Sequence, residues 1–295
     1  MKTNKTLGLI FAILAATIYG CTGILAKVTY SEGCNTMTLT MFRSVFSAPV
    51  LFLYLKLRGV SLKVTKQQMK TLILLGIMGA TLTSVFLYGS YNYISVGLTT
   101  CIHFIYPVIV AIVSVAVFKD KISKAKIISI VLSVAGLAMF LEKDLDLNMT
   151  GIIFALLSGV AYSIYVLAMD KGGVRDLHPM AIAFYCCCVA SVLLFCYGTA
   201  TSQLVYDMTP KGWFYMFVMA MCVSVGANSM IPVAVKNVGG TVTSIMGMFE
   251  PISTVILGYV VLNETMTVRG LIGCALVIIA VVILTLESAA EKKKA

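Results

Sequence analysis

Residues 8–19, GLIFAILAATIY, return as residues 151–162, GIIFALLSGVAY, with six of the twelve positions identical. This recurrence, at an offset of 143, decides how the chain is read. Each copy carries small residues at every fourth position: Gly8, Ala12, Ala16 and Gly20 in the first, Gly151, Ala155, Gly159 and Ser163 in the second. Such spacing puts them on one helix face. In lipid, where apolar burial no longer drives association, a small-residue stripe lets helix backbones approach closely. Further along, Pro107 finds Pro251 and Asp120 finds Glu264 at an offset of 144, and Glu142 finds Glu287 one residue later. Register kept over three regions indicates a duplicated chain, with units expected at residues 1–146 and 147–295.

Composition says what solvent the two units meet. Of the 295 residues, 60% are apolar or aromatic and 12% are charged, with a mean hydropathy of +0.99. About a quarter of an average soluble chain is charged, so the polar surface here is too small to face water all round. A bilayer core needs roughly 20 apolar residues per helix. Ten such segments are expected, near residues 7–29, 37–57, 71–92, 96–118, 127–142, 150–170, 179–199, 212–235, 241–262 and 268–286. The runs are too long and too continuously apolar for β-barrel strands. The first follows Lys2 and Lys5 but is longer than a signal-peptide core, and it is read as a retained helix.

The net charge of +10 is explained by topology. With the N-terminus in the cytosol, seventeen of the twenty-two Lys and Arg residues fall on the inner side, as the positive-inside rule asks. Lys27, Arg43, Lys143, Lys211 and Arg269 remain, and the acidic stretch Glu142 to Asp146 lies outside. Both termini are expected in the cytosol and the chain in the cell membrane as a multi-pass protein. No basic patch is interleaved with base-stacking aromatics on a water-facing element, so nucleic acid is not an expected partner. Five spans per unit is an odd number, so the second unit enters from the opposite face. The expected fold is therefore an all-α integral membrane protein of ten transmembrane helices in two inverted five-helix repeats. Secondary transporters use this architecture for alternating access around a midplane site.

On these residues the chain resembles the EamA-type transporters of the drug/metabolite transporter superfamily. The resemblance rests on residues 8–19, Arg43 in the second span, Phe249-Glu250-Pro251 in the ninth, and the stretch from Glu264 to Gly270 that leads into the tenth. It covers nearly the whole chain. It implies ten spans from two repeats and transport of amino acids, other metabolites, drugs or small organic cations, most often outward. The first repeat departs from the pattern, with Tyr106 before Pro107 where the second has Glu250 before Pro251.

Ionisable groups inside lipid cost several kcal/mol on insertion scales, so each is a candidate for function. Glu250 sits nine residues into the ninth span, about 14 Å along a helix axis and thus near the midplane. At helical spacing it shares a face with Thr243, Met246, Ser253 and Thr254. Pro251 removes a backbone donor and is expected to free a carbonyl towards a cavity. The functional reading is a carboxylate that binds a cationic group or exchanges a proton; the plainer one is a structural Glu at a helix break. The offset of 144 sets Tyr106 opposite Glu250 and Thr99 opposite Thr243, with His103 on the face of Thr99 and Tyr106. His103 is read as a cavity imidazole able to titrate, or as a link to a neighbouring helix. Arg43 can snorkel outwards, pair with a carboxylate or contact an anion. Tyr88 and Asn92 on the third span, Asn228 with Pro232 on the eighth, and the symmetry mates Tyr19 and Tyr162 complete the candidate lining. Aromatic faces there could hold an apolar or cationic ligand body.

No Cys/His spacing matches a zinc site, and no glycine-rich segment is followed by the Lys-Ser/Thr of a phosphate loop. No metal, cofactor or ATP-driven step is expected. Nor does any set of acids, His or Cys converge at one interface as an intramembrane enzyme would need. The expected function is a secondary active transporter, in the export direction, of small amphipathic metabolites such as amino acids. Its partners are the substrate, the lipid bilayer and a coupling proton, and both monomer and homodimer remain open. An importer or facilitator of a small organic cation, and a passive channel, are the alternatives.

Overall fold

The computed structural model describes residues 4–139, 148–254 and 268–294. The stretch from Glu142 to Asp146, Glu264 and the second half of the ninth span lie outside the described residues.

Helices begin where the sequence supplies a side-chain oxygen or nitrogen to cap their free backbone N–H groups. Asn4 caps α1 (Lys5–Gly20), which continues after an irregular residue at Cys21 as α2 (Thr22–Ser31). Asn35 caps α3 (Thr36–Leu57), and Thr65 with Gln68 forms a reciprocal capping box for α4 (Lys66–Leu75). Ser95 caps α6 (Val96–His103) and Ser123 caps α8 (Lys124–Ala138). Asn148, His178 and Thr209 cap α9 (Met149–Lys171), α10 (Pro179–Ala200) and α11 (Pro210–Met219). Asn4 and Asn148, like Thr65 and Thr209, stand 144 residues apart, so the duplication extends to the caps.

Spans three and eight share a feature the sequence did not announce. Both widen into a π-helix at mid-length, over Gly76–Thr83 and Ala220–Ala227, again 144 residues apart. In the first, the Thr81 and Thr83 hydroxyls donate to the carbonyls of Gly76 and Met78 five residues back, at 3.0 and 2.7 Å. The chain then resumes as α5 (Ser84–Ser90) and α12 (Asn228–Val238). Spans four and nine are broken in register. α6 ends in a turn at Phe104–Ile105 before α7 (Tyr106–Ala116), and α13 (Gly240–Gly247) ends in a turn at Met248–Phe249 before Glu250. The last helix is α14 (Val268–Lys294).

Among the described residues, seven helices are long and apolar enough to cross a membrane. The shorter α8, the apolar stretch Val268–Leu284 and the ninth span, described through residue 254, complete the ten. Packing follows the pseudo-twofold axis. α3 lies along α10, α8 along α14, and α1 against α12 as α9 lies against α5. The small-residue stripes are the seams. A Cβ on Gly8 would come within 2.8 Å of Asn237, and one on Gly151 within 2.9 Å of Tyr93. Positions 93 and 237 are themselves 144 apart, so the same close approach is made twice. Facing outward, Leu53, Leu57, Ile112, Val131, Val192, Phe195 and Phe214 stay exposed, as a lipid-facing surface requires.

Candidate functional site

The two breaks define the site. Each turn tightens to a backbone bond spanning three residues, Ile105 N–H to Ile102 O and Phe249 N–H to Met246 O, both 3.1 Å. Pro107 and Pro251 then sit just inside the helices that resume, where a missing N–H costs little. Pro107 leaves the carbonyl of His103 without its helical donor. That carbonyl lies against Gly159 of α9, where a Cβ would come within 2.7 Å. Pro232 breaks nothing, because α12 runs through it and the distortion sits upstream in the π-helical segment.

Between the halves lies a cavity of about 910 Å³ of empty space, its open mouth included. Nine of the residues singled out in the sequence line it: Tyr19, Arg43, Tyr88, His103, Tyr106, Tyr162, Asn228, Thr243 and Glu250. The Glu250 carboxylate makes no hydrogen bond or ion pair among the described residues, while its backbone carbonyl accepts from the Thr254 hydroxyl at 3.2 Å. The Tyr106 hydroxyl donates across the pseudo-twofold to Ser244 O at 3.2 Å, and the Tyr19 hydroxyl to Asn228 Oδ1 at 2.5 Å. Tyr106, Tyr162 and Tyr165 form a continuous aromatic wall, edge-on at 4.7 Å and then stacked at 5.4 Å.

His103 sits in that wall, 5.3 Å from Tyr106 and 5.6 Å from Tyr162. Its Nδ1 is 2.8 Å from Ser158 Oγ. Ser158 spends its own proton on Ala155 O at 2.6 Å, so Nδ1 carries the hydrogen and donates, leaving Nε2 as acceptor. Among the described residues Arg43 neither snorkels nor pairs with a carboxylate. It is buried, its Nη1 donating to Tyr88 Oη at 3.0 Å and its Nη2 to Ser84 Oγ at 2.7 Å.

Three candidates lie off the cavity wall. Thr99 is fully buried and its hydroxyl pairs with Ser90 at 2.9 Å, which in turn donates to Gly151 O. It ties α6 to α9 because the break at Phe104 rotates its face away from that of Tyr106. Ser253 packs against Gly20 of α1, where a Cβ would come within 2.6 Å, so this face of the ninth span is filled. Asn92 follows α5, exposed, and donates to Thr36 Oγ1 at 3.1 Å. The sequence reading missed Tyr165, Ser84 and Gly79. Tyr165 was legible as the residue three on from Tyr162, and Ser84 as the one a turn before Tyr88; both spacings share a helix face. Gly79 marks where Tyr165 lies, since a Cβ there would come within 2.3 Å of its ring.

A second, polar cavity opens at the end expected to face the cytosol. Asp170, nearly buried, is paired with Arg175 and, at 3.7 Å, with Lys171, which also bridges Asp120 at 2.6 Å. Asp170 is thus the centre of a charge network. Among the described residues no cluster of three or more His, Cys, Asp or Glu could hold a metal ion.

The model of the EamA-like transporter family matches residues 6–141 and again residues 149–286. The chain belongs to the EamA-like transporter family. It is accordingly a multi-pass membrane transporter with duplicated halves and a small-molecule substrate, and not an enzyme. Curated relatives span the EamA-like chain almost end to end. An uncharacterized transporter of Archaeoglobus fulgidus is 22% identical over 92% of this chain and 93% of its own length. The uncharacterized transporter YyaM of Bacillus subtilis is 23% identical over 94% and 93%. A solved crystal structure superposes with a TM-score of 0.82 at 14% identity, covering 97% of this EamA-like chain and 99% of that one. That likeness speaks for the fold alone.

Proposed function

We propose that the chain is a secondary active exporter of small amphipathic metabolites such as amino acids, working by alternating access with a proton as coupling ion. The units are residues 1–146 and 147–295, both termini are cytosolic, and the membrane is the cell membrane. One observation carries the reading: Glu250 opens a broken helix at the repeat interface and borders the cavity, and its carboxylate has no partner among the described residues. An intramembrane carboxylate without a protein partner is a place for a proton or a substrate cation. The tyrosine wall beside it suits an apolar or cationic body. Gates related by the pseudo-twofold supply two closures around one site.

The experiment is transport in proteoliposomes with L-leucine as probe. Saturable counterflow, increased by an imposed pH gradient, is expected of the unmodified protein. Glu250→Gln should keep counterflow and lose the response to the gradient. An unchanged response would remove Glu250 from coupling, and flux linear in concentration would favour a pore over a carrier.

A further inference from the structure

Arg43 is 3% exposed and borders the central cavity. A guanidinium carries five N–H donors. Here two are engaged, by Tyr88 Oη and Ser84 Oγ, and Nε is buried with no hydrogen-bond partner among the described residues. Both acceptors are neutral hydroxyls. No carboxylate of the described residues forms an ion pair with it, Glu250 on the same cavity included. The Tyr88 ring, 5.4 Å from the guanidinium, offers only part of a counter-charge. A buried cation facing hydroxyls alone is an expensive arrangement, and its free hydrogen-bonding edge is left for something that comes and goes.

We propose that Arg43 is the subsite for a carboxylate carried by the transported molecule. This deepens the transporter reading and rests on it. The unpartnered Nε–H lies in the plane of the guanidinium beside an Nη–H, and such a pair of parallel donors matches the two oxygens of a carboxylate. A doubly charged phosphate fits less well, because Glu250 borders the same cavity and like charges repel across a low-dielectric space. An apolar body beyond the carboxylate meets the faces of Tyr19, Tyr162 and Tyr165. Tyr88 and Ser84 hold the guanidinium in place, so the edge is fixed before the ligand arrives.

The test is thermal stability of the full chain in detergent, titrated with 4-methylpentanoate, with its neutral amide and with isoamylamine. Ligands that bind the folded state raise its Tm. The acid is expected to bind the unmodified protein at least tenfold more tightly than the amide, as a charge-assisted bidentate contact implies. Arg43→Gln should erase that difference and Arg43→Lys should keep only part of it. An amide that binds as well as the acid overturns the proposal in the unmodified protein alone, whether or not the variants fold. So does an Arg43→Gln protein that keeps the acid's affinity. If the acid binds through Arg43 but proteoliposomes show no saturable flux, the subsite stands and the carrier reading falls. If isoamylamine is carried in a Glu250-dependent way and the acid never binds, the carrier stands and the subsite falls.

Discussion

Gly247 stands where the first repeat has His103, and the space it leaves is occupied. A Cβ at 247 would lie 2.2 Å from the Tyr106 hydroxyl, which from that position donates to Ser244 O. Glycine at 247, where the first repeat has histidine, therefore makes room for Tyr106 of the other repeat. Gly247→Ala should push the Tyr106 ring off Ser244 at an overpacking cost of about 1–3 kcal/mol. The clash is with the phenolic oxygen, the ring carbon behind it lying 3.5 Å away. Made on Tyr106→Phe, the same substitution should therefore cost markedly less. A double-mutant cycle on unfolding checks this. Additive losses would show that the alanine acts elsewhere, whereas a coupling of about 1 kcal/mol or more is expected for groups in direct contact.

At the scale of elements, the spans were legible because lipid demands long apolar runs, and Glu250 and Arg43 stood out because such runs exclude charge. What the sequence hid was geometry that costs no composition. A π-helical segment adds a residue per turn using the same Gly, Ala and Val, so spans three and eight read as plain helices. Face arithmetic carried Thr99 into the cavity because it assumed a continuous helix past Phe104. Arg43 was seen, but its partners come from α5, forty residues on, and no local pattern links them. The Asp170 network is hidden in the sequence for the same reason, since Asp120, Lys171 and Arg175 come together with it only after folding. That network ties the end of α9 to the segment following α7, beside Gly239, where the chain turns with φ +83° into α13. Under the alternating access proposed above, this network would act as the latch at that end of the bundle. Asp170→Asn should remove roughly 1–2 kcal/mol of closure, between the exposed and buried limits for ion pairs, and so favour the open end by about tenfold. The readout is the rate at which an impermeant maleimide reaches Thr241→Cys, followed by mass spectrometry at that position. Asp176→Asn, an exposed neighbour, serves as control; equal rates in both backgrounds would show that the network is no latch.

Over the whole molecule, the pseudo-twofold separates what moves from what stays. In an inverted repeat the opposite-facing state arises when each half adopts the conformation of the other. A contact already the same in both halves is then unchanged by the exchange, and only contacts that differ between halves are remade. The close approach of Gly8 to Asn237 and Val238 recurs as that of Gly151 to Tyr93 and Ile94, and a Cβ on either glycine would come within 2.8 to 3.0 Å of both neighbours. On the proposed mechanism these seams of α1 on α12 and of α9 on the residues just after α5 would belong to a fixed scaffold. The Asp170 network differs, because its positional mate in the first half is Lys27, a charge of opposite sign. Scaffold and latch should therefore respond differently to substitution. Gly8→Val and Gly151→Val should each lower stability by about 1–3 kcal/mol, because their neighbours are Cβ atoms and branched side chains with little room to yield. Neither should change the maleimide rate at Thr241→Cys, since the seam contributes equally to both states and such a contact shifts no equilibrium between them. Asp170→Asn should do the reverse, changing access with little effect on Tm, and Gly97→Ala, which meets nothing within 4 Å, should change neither. If the two valine variants instead altered access in opposite directions, the seams would be gates, and the moving boundary would have to be redrawn through the small-residue stripes themselves.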